Sequence, residues 1–263
     1  MGVSESETDT GANGQPLAGC AALVTGASSG IGAATVLALA RQGAAVAMVA
    51  RRSERLEQLA STIDEFGGRS ISITADLIDP GQARRAVGDA ARRLGRLDAL
   101  VNNAGYAALN TLEEGEPEDW ERMVDLNLKA VLHISSAALP HLVRAAAGGP
   151  RGVADLVAVS SVAGRVARRG SSVYSATKHA VCAFAEALRQ EVAGRGVRVG
   201  LVEPGVTATE MTADDARLAI AFDLPKTAWL RAEDIARAIV FMVTQPAHAA
   251  VNEIMVRPTA QER

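Results

Sequence analysis

The feature that most constrains the fold is a change of pattern near the amino terminus. Ala21–Thr25 is a short apolar run without helical spacing, Gly26-Ala27-Ser28-Ser29-Gly30-Ile31-Gly32 carries three glycines in seven residues, and Ala33–Gln42 then has the period of a helix. A strand, a glycine turn and a helix in that order aim backbone N–H groups and a helix N-terminus at one point, where a pyrophosphate can sit. The spacing G-x-x-x-G-x-G is one residue away from the G-x-G-x-x-G fingerprint, and glycine turns also serve ordinary strand–helix connections. The position directly after the first strand strengthens the phosphate reading.

The same alternation continues through the chain. Ala45–Ala50 reads as a second strand, followed by a helix over Ser53–Phe66 with Ser53 as its N-cap. Arg69–Ala75 is a third strand, and Asp79-Pro80 opens a helix that runs to Leu94. Leu97–Val101 is a fourth strand, closed by Asn102-Asn103-Ala104-Gly105, and Pro117 opens a long helix to about Leu142. Gly148-Gly149-Pro150 breaks the chain before a fifth strand, Val153–Ser160. Val197–Val202 is a sixth strand ending at Glu203-Pro204-Gly205; Ala232–Val243 is a last helix and Asn252–Val256 a last strand. Hydrophobic residues make up 48% of the 263 positions but aromatics only 3%, so the core must be built of Ala, Val, Leu and Ile, as suits parallel strands covered by helices. The pattern predicts an α/β fold, a doubly wound parallel sheet of the Rossmann type. It places one domain at 19–263, with a short lid over 206–230 after the sixth strand and a disordered leader at 1–18. The lid holds Met211, Phe222, Leu224 and Trp229, enough apolar surface to close over a ligand.

In such a sheet the ligand crevice lies at the carboxyl ends of the strands. Gly26–Gly32, Arg51, Asp76, Asn102–Gly105, Ser161 and Pro204-Gly205 all fall there. At the end of the second strand an NAD-specific site carries an acidic residue for the ribose 2′-hydroxyl. This chain has Arg51-Arg52, which would repel nothing and grip a 2′-phosphate with charge-assisted bonds, pointing to NADP. The plainer alternative is that two arginines open a solvated helix.

Tyr174 and Lys178, four residues apart, precede the helix-forming stretch Ala180–Glu191. On one helix their side chains stand one above the other. An ammonium beside a phenol lowers the phenol's pKa from about 10 and makes it a proton donor or acceptor for an alcohol or carbonyl oxygen. Ser161 can hydrogen-bond that oxygen. The spacing alone is weak, but the chain holds only two tyrosines, Tyr106 and Tyr174, and three lysines, Lys129, Lys178 and Lys226. Asn127 within the long helix is mildly unfavourable unless its side chain has a task.

The net charge of −3 gives no electrostatic case for nucleic acid or an anionic membrane, and no run of transmembrane length or signal peptide is visible. Cys20 and Cys182 form no spaced framework, as expected of a cytoplasmic protein, and no metal-ligand spacing occurs.

Together these motifs resemble the short-chain dehydrogenase/reductase family over about residues 19–258. Thr25–Gly32 reads as its T-G-x-x-x-G-I-G, Asn102–Gly105 as its N-N-A-G and Tyr174–Lys178 as its Y-x-x-x-K, with Ser161 at the family's interval of thirteen before the tyrosine. The resemblance implies Tyr174 as general acid/base, Lys178 on the phenol and the nicotinamide ribose, Ser161 orienting the substrate oxygen, and Asn127 holding a proton-relay water. It further implies cofactor contacts from Gly26, Ser28, Ser29, Gly30, Ile31, Gly32, Asp76 and Leu77. Asn103, Ala104 and Gly105 would form a floor, and Val206 and Thr209, after Pro204-Gly205, would hold the carboxamide. The ending Val251–Thr259 departs from the Gly-Gly-rich end of many members. It looks like the branch that includes clavulanate dehydrogenase and serine-type 3-hydroxy-acid dehydrogenases, which reduce small carbonyls, often in secondary metabolism.

The expected activity is NADPH-dependent reduction of a small aldehyde or ketone, or the reverse alcohol oxidation. The alternative is a non-catalytic NADP-binding regulator of the same fold; a sugar-nucleotide epimerase would need a larger substrate region than 206–230. Substrate contacts are expected from Tyr106, Val162 and Arg169. Of Arg165, Arg168 and Arg169, between the serine and the tyrosine, Arg169 is favoured as a fork for a substrate carboxylate. Ala180, Ala183 and Ala187 on the Tyr-Lys helix, with the family habit, imply a homo-oligomer, a dimer or tetramer.

Overall fold

The computed structural model describes residues 14–213 and 224–261. Seven strands, β1 (Ala21–Thr25), β2 (Ala45–Ala50), β3 (Ser70–Thr74), β4 (Ala99–Asn102), β5 (Ala154–Val159), β6 (Val197–Pro204) and β7 (Glu253–Val256), form one sheet in the order β3-β2-β1-β4-β5-β6-β7. Every pairing is parallel. The expected doubly wound sheet is therefore present. The order reverses between β1 and β4, whose carboxyl ends, Thr25 and Asn102, open the crevice.

Side-chain alternation sorts the core into two layers. Leu23, Leu100 and Leu156 point to one face, under α3 (Pro80–Leu94), α5 (Ala130–Gly148) and α6 (Ser172–Val192). Val24, Val101 and Val157 point to the other, under α1 (Gly30–Arg41), α2 (Ser53–Glu65) and the last helix, Ala232–Val243. β1, β4 and β5 are buried at every position because both faces are covered.

Local chemistry sets the boundaries. α3 starts as expected: Asp79 accepts from the Gly81 and Gln82 N–H groups at 2.7 and 2.9 Å, and Pro80 follows. Gly95 ends it at φ 85°, a left-handed conformation open to glycine. At α2 the structure differs, since Ser53 is the first helical residue and Arg52 the N-cap, whose side chain caps nothing. The long helix is not uniform. α4 (Pro117–Val124) passes through a π-turn, Asp125–Lys129, into α5, which continues past Leu142 to Gly148. A π-turn inserts one residue into the helical ladder and commonly marks a functional position. Asn127 sits inside it.

Residues 14–18 fall within the stretch expected as a disordered leader. Leu17 is buried and its N–H donates to the Gln42 carbonyl at 2.9 Å, so residues 14–18 belong to the domain. The expected disorder of residues 1–13 lies outside the described residues, as do 214–223 of the lid, including Phe222. The rest of the lid begins with Thr207–Ala208, paired in parallel with Leu230–Arg231, and packs Val206, Leu224 and Trp229 into a small apolar cluster. Among the described residues no helix is long and apolar enough to cross a membrane.

Candidate active site

One cleft of ≈ 600 Å³ runs along the carboxyl ends of the strands. It reaches from the glycine turn, β2, Thr209 and Glu210 at one end to Ser161 and Tyr174 at the other. Its centre is α6. Tyr174 and Lys178 occupy its first two turns on one face, with the ammonium 5.7 Å from the phenol ring's centre. Ser161 caps the short 3₁₀ turn Val162–Gly164, accepting from the Ala163 N–H at 3.1 Å, and this turn brings its hydroxyl to the Tyr174 phenol. Neighbouring Ser160 instead turns its hydroxyl to the Lys178 carbonyl at 3.2 Å, behind the site.

The electrostatics overturn one expectation. Burial in the cleft wall pushes the Tyr174 phenol above its ordinary pKa, and the Ser161 hydrogen bond only partly opposes this. Lys178 does not bond the phenol. Its ammonium is buried, donates to the Val159 carbonyl at 3.0 Å, and burial lowers its pKa from 10.5 to about 8. A helical spacing brings two groups alongside, but burial penalises both charged forms before either can help the other.

Asn127 does have a task, behind the cleft rather than in its lining. Its Oδ1 accepts from the Tyr106 N–H at 2.7 Å and its Nδ2 donates to the Tyr106 carbonyl at 2.8 Å and to Thr177 Oγ1 at 3.2 Å. It fastens the loop after β4 to α6. A Cβ on Gly105 would lie 3.3 Å from Asn127 Oδ1 and 3.8 Å from Lys178 Nζ, so this glycine sits between them. Asn103 and Ala104 donate main-chain N–H groups to the Thr25 hydroxyl, each at 3.0 Å, tying the ends of β1 and β4 together.

At the other end of the cleft, Gly26, Ser28, Ser29, Gly30 and Ile31 line the wall, whereas Gly32 does not. A Cβ on Gly32 would stand 2.2 Å from the Gly26 carbonyl oxygen, so this glycine serves the packing of the turn. Asp76 and Leu77 line the cleft at the end of β3, with Asp76 Oδ1 accepting from the Ile78 N–H at 3.1 Å. Arg51 is exposed at the rim. Arg52 is the anchored arginine: its Nη2 donates to Ser28 Oγ at 3.1 Å and to Ser29 Oγ at 2.8 Å, and its Nη1 to Glu210 at 2.8 Å. Two hydroxyls and a guanidinium beside a helix N-terminus suit a phosphorylated nucleotide.

The lid strand meets the sheet at Pro204-Gly205. The Val206 N–H is taken by Gln261 Oε1 at 3.1 Å, and a Cβ on Gly205 would stand 2.4 Å from that oxygen. Sequence reasoning missed Gln261, because nothing local marks a residue that arrives from the end of the chain. It also missed Glu203, buried beneath the serine turn and paired with Arg165 at 2.6 Å. Arg165, bound also to Glu253, does not line the cleft, but Arg168 and Arg169 do. Val162 and Tyr106 line it too, though the Tyr106 hydroxyl is spent on Asp119 at 2.5 Å and its ring is covered by the Arg122 guanidinium at 4.0 Å. Among the described residues no group of His, Cys, Asp or Glu could hold a metal ion.

The sequence profile of the short chain dehydrogenases matches residues 20–218. Glycine betaine reductase ATRR of Emericella nidulans is 41% identical over 246 residues, 92% of this chain but only 19% of that protein. An uncharacterized oxidoreductase of Staphylococcus saprophyticus is 36% identical over 91% of this chain and 96% of its own. Among solved structures, a short chain dehydrogenase from Burkholderia cenocepacia in complex with NADP superposes with a TM-score of 0.83 at 34% identity, covering 93% of this chain and 99% of that one.

Proposed function

The chain belongs to the short-chain dehydrogenase/reductase family of oxidoreductases, and on that premise we propose that it is an NADPH-dependent reductase of small aldehydes or ketones. The observation that carries this reading is the meeting of Ser161, Tyr174 and Lys178 in the same cleft as the glycine turn and Arg52. The Burkholderia relative's complex with NADP supports the same cofactor. The glycine turn and Arg52 would hold a reduced nicotinamide cofactor, which would supply a hydride to a carbonyl carbon. Ser161 holds the carbonyl oxygen, and Tyr174, neutral because its pKa is raised, donates its phenolic proton to that oxygen. Lys178, with a pKa of about 8, is mostly protonated at neutral pH, and its ammonium beside the ring stabilises the phenolate left when Tyr174 gives up its proton.

The resemblance to glycine betaine reductase invites a quaternary ammonium substrate, but the lining opposes it. Such cations are held by aromatic faces. Here Arg168 and Arg169 line the cleft, and the ring of Tyr106 is already covered by Arg122. Glu114 is the acidic counterpart on that side, held by Thr111 at 2.9 Å. The balance favours a neutral or carboxylated carbonyl compound, with Arg169 at its acidic end. The test is NADPH oxidation, followed by absorbance, against a panel of small aldehydes, ketones and oxo-acids. Turnover that disappears in Tyr174→Phe supports the reading; NADPH binding without turnover of any carbonyl would favour the non-catalytic alternative.

A further inference from the structure

Glu210 stands first in the helical turn Glu210–Ala213 at the base of the lid, more than 150 residues from the arginines it meets. Its carboxylate is 2.8 Å from Arg52 Nη1 and 3.2 Å from Arg55 Nη1. The same Arg52 holds both serine hydroxyls of the glycine turn. The lid base lies directly on that turn, since a Cβ on Gly30 would meet Thr209 at 3.1 Å. A carboxylate therefore meets the guanidinium that holds both serine hydroxyls of the glycine turn, with a second guanidinium, Arg55, on its other oxygen. This is also the end of β2, where a nucleotide's 2′-substituent would lie. A carboxylate presents two anionic oxygens to a guanidinium fork much as a phosphate does.

Resting on the NADP reading above, we propose that Glu210 is a specificity-determining residue that stands in for the 2′-phosphate and competes with it for Arg52. A dianionic phosphate arriving on Arg52 meets the carboxylate as a like charge, so Glu210 must yield its ion pair. A 2′-hydroxyl brings no charge and leaves the pair intact. Glu210 thus weakens binding of the phosphorylated cofactor selectively. The pair is half exposed, so the effect is moderate and screened by salt.

The experiment compares Kd values of NADPH, NADH, 2′-AMP and 5′-AMP for the unaltered protein, Glu210→Gln and Glu210→Asp. Thermal melts confirm that each variant is folded. We expect Glu210→Gln to bind NADPH and 2′-AMP about three- to tenfold more tightly at low salt, with the gain shrinking as salt rises. NADH and 5′-AMP should be unchanged, and Glu210→Asp should restore the unaltered affinities at least in part. If Glu210→Gln binds 2′-AMP equally or more weakly while the unaltered protein still prefers NADPH, Glu210 orders Arg52 instead of competing for it and the inference is overturned. If the unaltered protein does not prefer NADPH over NADH, the cofactor reading itself fails and the inference goes with it.

Discussion

The two ends of the cleft are built on different physics. At the Tyr174 end the groups are buried or half-buried, uncharged or partly neutralised, and fixed by directional bonds: Ser161 on Ala163, Lys178 on Val159, Asn127 on Tyr106 and Thr177. At the Arg52 end they are half exposed and ionic, with Arg52, Arg55, Ser28, Ser29 and Glu210 sharing one network across the solvent boundary. A buried group that must change protonation gains from low dielectric and a fixed geometry. A site that must capture and release a charged cofactor gains from exposed, exchangeable ion pairs, whose strength water and salt moderate.

Perturbing each end separately breaks the comparison or sharpens it. The largest effect is expected from Tyr174→Phe, which should lower kcat by about two to four orders of magnitude while leaving the Kd for NADPH nearly unchanged. Single-turnover kinetics with fluorescence titration of NADPH checks both halves, and retained turnover would remove Tyr174 as the proton donor.

Next is a stability effect at the buried end. The folded pKa of Lys178, about 8, lies below its unfolded value of 10.5. The unfolded chain therefore binds the extra proton between those values, and stability rises with pH across that window. Below pH 8 the full cost of burying the group is present. Lys178→Met should then stabilise the fold near pH 7 by up to about 3 kcal/mol, less what the undonated Val159 carbonyl loses, while destroying activity. Urea melts at pH 7 and above pH 10 should show that gain fading. A variant equally destabilised at both would refute the buried-charge account.

At the exposed end, Arg52→Ala should weaken NADPH by about tenfold and NADH little, and salt should erode the preference in the unaltered enzyme. A preference that survives high salt would mean that the 2′-phosphate is gripped elsewhere. The smallest effect concerns the substrate. Arg169 is exposed at the cleft wall, so Arg169→Ala should raise KM for a carboxylated substrate by a few-fold and leave a neutral aldehyde almost untouched. An equal response from both substrates would make the arginine structural.

The sequence alone determined what period and composition can carry. Alternating apolar runs and helical stretches pointed to a parallel sheet covered by helices, because that arrangement buries the strands on both faces. Since strand ends and loops are local features, the glycine turn, Asn103–Gly105, Ser161 and the Tyr174–Lys178 helix were legible residue by residue. Tertiary structure decided whatever depends on partners distant in the chain. It chose Arg52 over Arg51 as the anchored guanidinium, brought Glu210 to it, drew Arg165 away to Glu203 and Glu253, and set Gln261 on the Val206 N–H. It also reversed the expected sign at Tyr174, since a pKa depends on how much water and which charges surround a group. Spacing along one helix fixes who stands beside whom, but not how deeply the rest of the molecule buries them.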